Sequence, residues 1–294
     1  IGVGSVLRRL ALRVAAAQLR GEARGELELR GQMGLSEAGP QRAYFRAQRC
    51  LQSGLHVLRL DLSNAFNRLR RSAIMEAAAD IGNELYRADR PSPALLVGCN
   101  LYALPTTVHV VGSESFTADR GVVQGCPLGS ALFDIAQAHI MSRLTAAMTR
   151  NGLDLHVMGA EGSTITESDD IVYHIALHDD ITLASRSTVS LVTTVALLQG
   201  LLEERGLALA RHKSVLLSPR PVTPEVLASL QATGACAALF AGAPLHTTDE
   251  QGTEAASALV TAHTVAKLDD FRHVAALVDP QDIVKINTLA GVWT

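Results

Sequence analysis

Asp61 closes an apolar run in LRLDLSNAFNRLRRSAI (58–74), and the chain then turns polar and Arg-rich. A second candidate, Asp179-Asp180, interrupts the apolar stretch IVYHIALHDDITLAS (171–185). Adjacent carboxylates in a tight turn repel one another, and a bound cation relieves the repulsion. Mg²⁺ is held by one or two carboxylates together with substrate phosphates. Two such ions about 4 Å apart clamp the attacking and leaving oxygens of an in-line phosphoryl displacement. Asp-Asp pairs are also common in exposed turns. Asp169-Asp170 in TESDDIV, which follows Gly, Ser and Thr residues, reads as one of those. Asp179-Asp180 lies between YHIAL and ITLAS, so two buried strands would hold its turn, and it is the preferred pair.

Other side chains suit the same chemistry. RGVVQGCPLGSALF (120–133) sets Gln124 and Gly125 just ahead of an apolar helix. Glycine lets a backbone approach a ligand, and a Gln amide can hydrogen-bond a base or a sugar. Lys213 in RHKS would bring positive charge to a leaving pyrophosphate, and Phe66, five residues after Asp61, could contact a sugar.

The 294 residues are 48% apolar and 19% charged, enough for one large or two ordinary domains and unlike a disordered chain. No apolar run reaches the roughly 18 residues of a membrane span without a charged or polar break. Cys50, Cys99, Cys126 and Cys236 form no C-x-x-C pair, which argues against a zinc site and for a reduced, intracellular protein. The net charge of -3 is unevenly spread. Residues 1–90 hold 15 Arg against 9 acidic residues, whereas residues 91–294 hold 11 basic against 20 acidic. A basic front and an acidic rear suit a protein that grips an anion at one end.

The positioning elements follow from periodicity. Residues 5–20 show helical spacing of Val6, Leu7, Leu10, Leu12, Val14 and Leu19. Residues 21–40, with five Gly and one Pro, read as loop, and a helix is expected from Gln41 to Ser53. A strand over 55–62 leads to Asp61. Ser72 could cap a helix ending at Gly82. A further helix lies within PSPALLVGCNLYAL. TTVHVVGSESFTADRGVV reads as a hairpin turning near Gly112-Ser113. A long helix should run from Ser130 to Met148, then two strands over 171–185, then a helix from Thr188 to Arg205 stopped by Gly206. LALARHKSVLLS reads as a strand with a basic interruption, and 221–294 as mainly helical.

In this order, LDLSNAFNRL, GVVQGCPLGSALF, LHDDITLA and GLALARHKSVLL resemble motifs A, B, C and D of reverse transcriptases, most closely those of non-LTR retrotransposons. GVGSVLRRLALRV and GQMGLSEAGPQRAYFRAQR resemble the family's fingers, LFAGAPL its motif E, and FRHVAALVDPQDIVKINTLAG the start of its thumb. The resemblance implies an α+β right-hand polymerase with a small antiparallel palm sheet backed by helices. Fingers would span 1–55, palm 56–225 with a fingers insertion at about 75–118, and primer grip and partial thumb 226–294. Ile1 matches the last residue of an Arg-Pro-Ile triphosphate motif, so the chain would start inside the fingers and break off within the thumb. Arg8 or Arg9 would partly substitute for the motif's Arg.

The implied activity is RNA-directed DNA synthesis from dNTPs on an RNA template and DNA primer, with two Mg²⁺ ions, at chromosomal DNA in the nucleus. Asp61 and Asp179 would ligate metal with Asp180 supporting them. Phe66 would exclude the ribonucleotide 2′-OH, Gln124 and Gly125 would contact nucleotide and template, and Lys213 would assist pyrophosphate departure. Leu177-His178 stands where motif C usually has an aromatic residue, and Ala210 where motif D often has Asn. A group II intron or other cellular reverse transcriptase is the neighbouring reading. A decayed or domesticated copy that binds nucleic acid without polymerising is the non-enzymatic one.

Overall fold

The computed structural model describes residues 6–108, 115–123, 125–159, 164–240, 243–247 and 249–275. Gln124, Gly112-Ser113 and the thumb-like stretch beyond 275 lie outside them. Two compact units emerge, Ile1–Ala235 and Cys236–Thr294.

The first unit opens with α1 (Val6–Leu29), α2 (Gly39–Gln52) and β1 (His56–Leu60). The short α3 (Ala65–Arg68) follows, then α4 (Arg71–Arg87), α5 (Pro93–Tyr102) and the pair β2 (Thr106–Val108) and β3 (Phe116–Ala118). Next come α6 (Gly129–Arg150), β4 (Asp154–Val157), β5 (Ile171–Leu177), β6 (Asp180–Ser185) and α7 (Thr188–Glu203). A 3-10 turn (Arg211–Lys213), β7 (Val215–Leu217), α8 (Pro224–Ser229) and β8 (Thr233–Ala235) complete it. The second unit pairs β9 (Ala237–Phe240) with β10 (Ala243–His246), and α9 (Glu250–Ala275) packs on both.

Six strands form one sheet in the order β4-β5-β6-β1-β7-β8. The inner pairings β5–β6, β6–β1 and β1–β7 are antiparallel, and the edge strands β4 and β8 join in parallel. Side chains alternate across a strand, so each strand serves two faces. Leu58, Leu60, Val172, Ile181, Leu183 and Leu216 enter the main core with residues of α4, α6 and α7. Val57, Ile175, Ala184 and Leu217 are buried outside that core, on the alternate face, where α2 packs against β1, β5 and β6. The observed architecture is the expected α+β one, a central sheet backed by helices.

Several local expectations are corrected. α1 runs through the supposed loop to Leu29, because Leu12, Leu19, Ala23 and Leu27 keep one buried stripe going past Gly21 and Gly25. Of the apolar residues that suggested this helix, Val6, Leu7, Leu10 and Val14 are exposed. Arg30 then ties the end of α1 to α4 through Asp80 at 2.8 Å and Glu84 at 2.5 Å. α4 begins at Arg71 with Ser72 inside it, and it continues past Gly82, which sits against Leu95 of α5. β4 and the strands β8, β9 and β10 were not expected. Among the described residues no helix is long and apolar enough to cross a membrane.

His174, buried on β5, joins β4 to the end of α1: its Nδ1 faces His156 O and its Nε2 faces Arg30 O, each at 3.1 Å. Burial outweighs these two acceptors and pushes its pKa down, and burial with the nearby Arg220 charge does the same at His56. The unfolded chain takes up protons near pH 6.5 that the folded chain refuses. Stability from these two histidines is therefore complete above about pH 6.5 and is lost as pH falls below it. Urea midpoints measured from pH 8 to 5 should fall, and fall less steeply in a His56→Gln, His174→Gln chain.

Candidate active site

The register Leu60↔Ile181 of β1 with β6 brings the end of β1 beside the turn that joins β5 to β6. Asp61 follows directly, and the turn carries His178 and Asp179 between the paired residues Leu177 and Asp180. Its first central residue, His178, has φ +53, the sign that tight hairpins require and that non-glycine residues rarely adopt. Asp169-Asp170 lies exposed in a separate turn, as its polar surroundings suggested.

The carboxylates converge. Burial pushes the Asp179 pKa up, and the charges of Asp180 and Asp61 push it in the same direction. Asp61 Oδ2 is buried without a hydrogen-bond partner, and Lys213 Nζ stands 3.5 Å from it. Asp180 differs from the other two because its Oδ1 is paired with Arg59 at 2.9 Å, both side chains being mostly buried. Sequence reading passed over Arg59, although its place two residues before Asp61 on β1 puts it on the same side of the strand.

The segment after α7 sets Lys213. Ser63 N–H donates to Ala208 O, Ala210 N–H donates to Asp61 O, both at 2.8 Å, and the 3-10 turn follows at once. Gly206, at φ +80, allows this return, since a Cβ there would lie 2.8 Å from Arg68 O. Phe66 is half-buried, its ring stacked on Phe133 of α6 with centroids 4.5 Å apart. The loop ahead of α6 lies against α3: Val122 N–H donates to Phe66 O, and Gly121 N–H to Leu69 O, both at 2.7 Å. Buried Arg71 braces it by donating to Gly121 O and Leu104 O. Gly125 has φ +92.

Arg9 is exposed on α1, and no ion pair or hydrogen bond among the described residues joins it to the three Asp residues. An α1 arginine whose charge is felt at the β5–β6 turn is Arg20, which acts on His178 and on Asp134 of α6. His178 Nδ1 lies 3.0 Å from Asp134 Oδ1. That hydrogen bond lifts the His178 pKa, and complete burial lifts that of Asp134. His178 stood out only as a departure from motif C, and Asp134 not at all, since it lies 44 positions before its partner.

Among the described residues no three His, Cys, Asp or Glu side chains form a metal cage. The donor chemistry instead fits an ion held by two carboxylates and completed by substrate and water. The buried oxygen of Asp61, which accepts no hydrogen bond, and the mutual repulsion at Asp179 are what such an ion would relieve.

A model of the reverse transcriptase (RNA-dependent DNA polymerase) family matches residues 28–248. The chain belongs to that family. The matched residues include β1 and β5–β6 with all three Asp residues, and Lys213. The chain resembles a telomerase from Candida albicans, solved with the TWJ fragment of telomeric RNA, at 14% identity and TM-score 0.53. That likeness covers 81% of this chain and 38% of the other. An apo telomerase from Candida tropicalis gives 13% identity and TM-score 0.52, covering 80% and 38%. The chain thus spans well under half the length of these telomerases, and at such identity the likeness establishes the fold. No curated protein matches the chain.

Gly121 has φ +68, and a Cβ there would meet Phe66 O and come within 2.6 Å of Asn67 Cα. Gly121→Ala should lower stability by about 1–3 kcal/mol, the usual cost of a strained backbone position. Urea denaturation measures it, and a loss below that range would mean that the loop readjusts freely.

Proposed function

We propose that this domain is the RNA-directed DNA polymerase of a retroelement of the non-LTR type, extending a DNA primer with dNTPs on an RNA template. The observation that carries the reading is the convergence of Asp61 and Asp179 at the ends of paired strands, one with a buried oxygen that accepts no hydrogen bond and the other with a raised pKa. Mg²⁺ bound there would stabilise the attacking primer oxygen and the leaving phosphate oxygen of an in-line displacement. Asp61 and Asp179 are the ligands this reading requires. Asp180, paired with Arg59, balances charge beside them and leaves metal binding chiefly to the other two.

The remaining roles follow from the surroundings. Lys213 is mostly exposed beyond Asp61, free to move its ammonium toward a departing pyrophosphate. The stack on Phe133 stiffens Phe66, which suits a ring that must collide with a ribose 2′-OH. Gln124 and Gly125 would meet the nucleotide and template base from the loop ahead of α6. Arg9 and the other exposed α1 arginines would meet template phosphate, so RNA affinity should fall steeply with salt. The fingers, palm and thumb assignments, and nuclear action at chromosomal DNA, belong to the same proposal. The wording of the motif B stretch, GVVQGCPLGSALF, is what favours a retrotransposon over a cellular reverse transcriptase.

Mg²⁺-dependent extension of a DNA primer on RNA tests the reading. Asp61→Ala and Asp179→Ala should each slow extension on the order of 10³-fold or more, as for groups acting in the transition state, with RNA binding retained. Wild-type protein that binds RNA in a salt-sensitive way but extends no primer would instead be the non-polymerising binder. Phe66→Ala should raise ribonucleotide use relative to dNTP by about 10–200-fold, the range of steric pocket discrimination. Competition assays with paired nucleotides measure that ratio, and an unchanged one would remove Phe66 from its role.

A further inference from the structure

The segment after α1 pairs in parallel with β5. Met33 N–H donates to Ala176 O, and Ala176 N–H donates to Gly31 O, both at 2.8 Å. Two residues beyond Ala176, in the turn that follows β5, stands His178, and there the main-chain ladder stops. The Gln32 side chain continues it. Gln32 Oε1 accepts from His178 N–H at 3.2 Å, and Nε2 donates to His178 O at 3.3 Å. A primary amide placed in this way imitates a peptide group on a neighbouring strand.

Gln32 is itself held from every side. It is fully buried, its Oε1 also accepts from Gly34 N–H at 2.8 Å, and its Nε2 also donates to Gln137 Oε1 of α6. Asp134, one turn before Gln137 on α6, grips the His178 ring with both oxygens, at 3.0 and 3.2 Å. Gly34 makes room for that grip: a Cβ on it would collide with Asp134 Oδ2 and lie 2.7 Å from His178 Nδ1. The charged groups acting on this cluster are Asp134, Asp179 and Arg20. All of this restraint falls on one residue, the one with φ +53 whose carbonyl is bonded to the nitrogen of Asp179. An over-determined, sparsely populated backbone conformation of this kind is found where function needs a fixed geometry.

We infer that Gln32 is a positioning residue for Asp179, acting through the main chain of His178, with Asp134 as its second anchor on the ring. The inference rests on the polymerase reading for what Asp179 binds. It ties the catalytic turn at once to the segment after α1 and to α6, so movement of either shifts the Asp179 carboxylate.

Gln32→Glu tests it, since that change keeps every heavy-atom position and replaces the amide donor with an oxygen facing His178 O. Folding is followed by circular dichroism, RNA affinity by titration, Mn²⁺ binding by electron paramagnetic resonance without turnover, and extension by steady-state kinetics. A folded variant should keep its RNA affinity within about twofold. It should bind Mn²⁺ about 10–100-fold more weakly, the range for lost outer-sphere support of a metal ligand. Its kcat should drop about 10²-fold, the effect of an ångström-scale misplacement, with little change in the KM for dNTP. His56→Gln, which removes a contact to Ser218 at the end of β1 away from the turn, should lose stability and leave Mn²⁺ binding alone.

A folded Gln32→Glu chain with unchanged Mn²⁺ binding and kcat would overturn the inference. So would a Gln32→Glu chain that cannot fold, because Gln32 would then serve folding only. Wild-type protein that binds Mn²⁺ but extends no primer would sink the polymerase reading, while the Mn²⁺ comparison would still decide this one. Wild-type protein that binds no Mn²⁺ would end both.

Discussion

The antiparallel pairing of β1 with β6 is the constraint on which the site depends. Register in a sheet fixes the face and height of every side chain, and a slip of one residue would send each to the other face. With Leu58 opposite Leu183 and Leu60 opposite Ile181, the apolar side chains fill the core, and Asp61 arrives beside the turn carrying Asp179. The energy that holds this register is apolar burial, about 1.5–3 kcal/mol for each fully buried Leu or Ile. That gain is what lets the fold collect carboxylates that repel one another.

Repulsion is managed unequally across the three. Asp180 is neutralised by Arg59 within the sheet. Asp61 has the more distant, mostly exposed Lys213, and at Asp179 the charge of the adjacent His178 is outweighed by burial and by the charges of Asp180 and Asp61. A half-buried site that leaves two carboxylates short of compensation suits a cation from outside. The rigid parts around it are braced by backbone: Gly121 against Phe66 and Asn67, Gly206 against Arg68, and Gln32 against His178. Each contact joins elements far apart in sequence.

Much of the fold was legible because its signals were local. The buried strands on either side of Asp179-Asp180 announced themselves as apolar runs, and the helices Gly129–Arg150 and Thr188–Glu203 as long periodic segments. The errors came where tertiary burial overrode local preference. Gly21 and Gly25 each cost a helix about 1 kcal/mol, yet α1 passes through both because Ala23 and Leu27 are buried beyond them. The short strands β4 and β8 exist by pairing with β5 and β7, and CAALFAGAPL is too short and apolar for periodicity to separate strand from helix.

The sequence by itself determined the family and its candidate chemistry, because residue type and order within a motif are local properties. Asp61, Phe66, Asp179, Asp180 and Lys213 could be named from their immediate neighbours. Only the tertiary structure decided how the three carboxylates differ, and which residues hold the turn that presents Asp179. Arg59 meets Asp180 across 121 positions, Gln32 meets His178 across 146, and Asp134 meets the same residue across 44. Electrostatics and hydrogen bonding act over a few ångströms of space, and nothing in the spacing of a chain reports which distant residues folding will bring within that range.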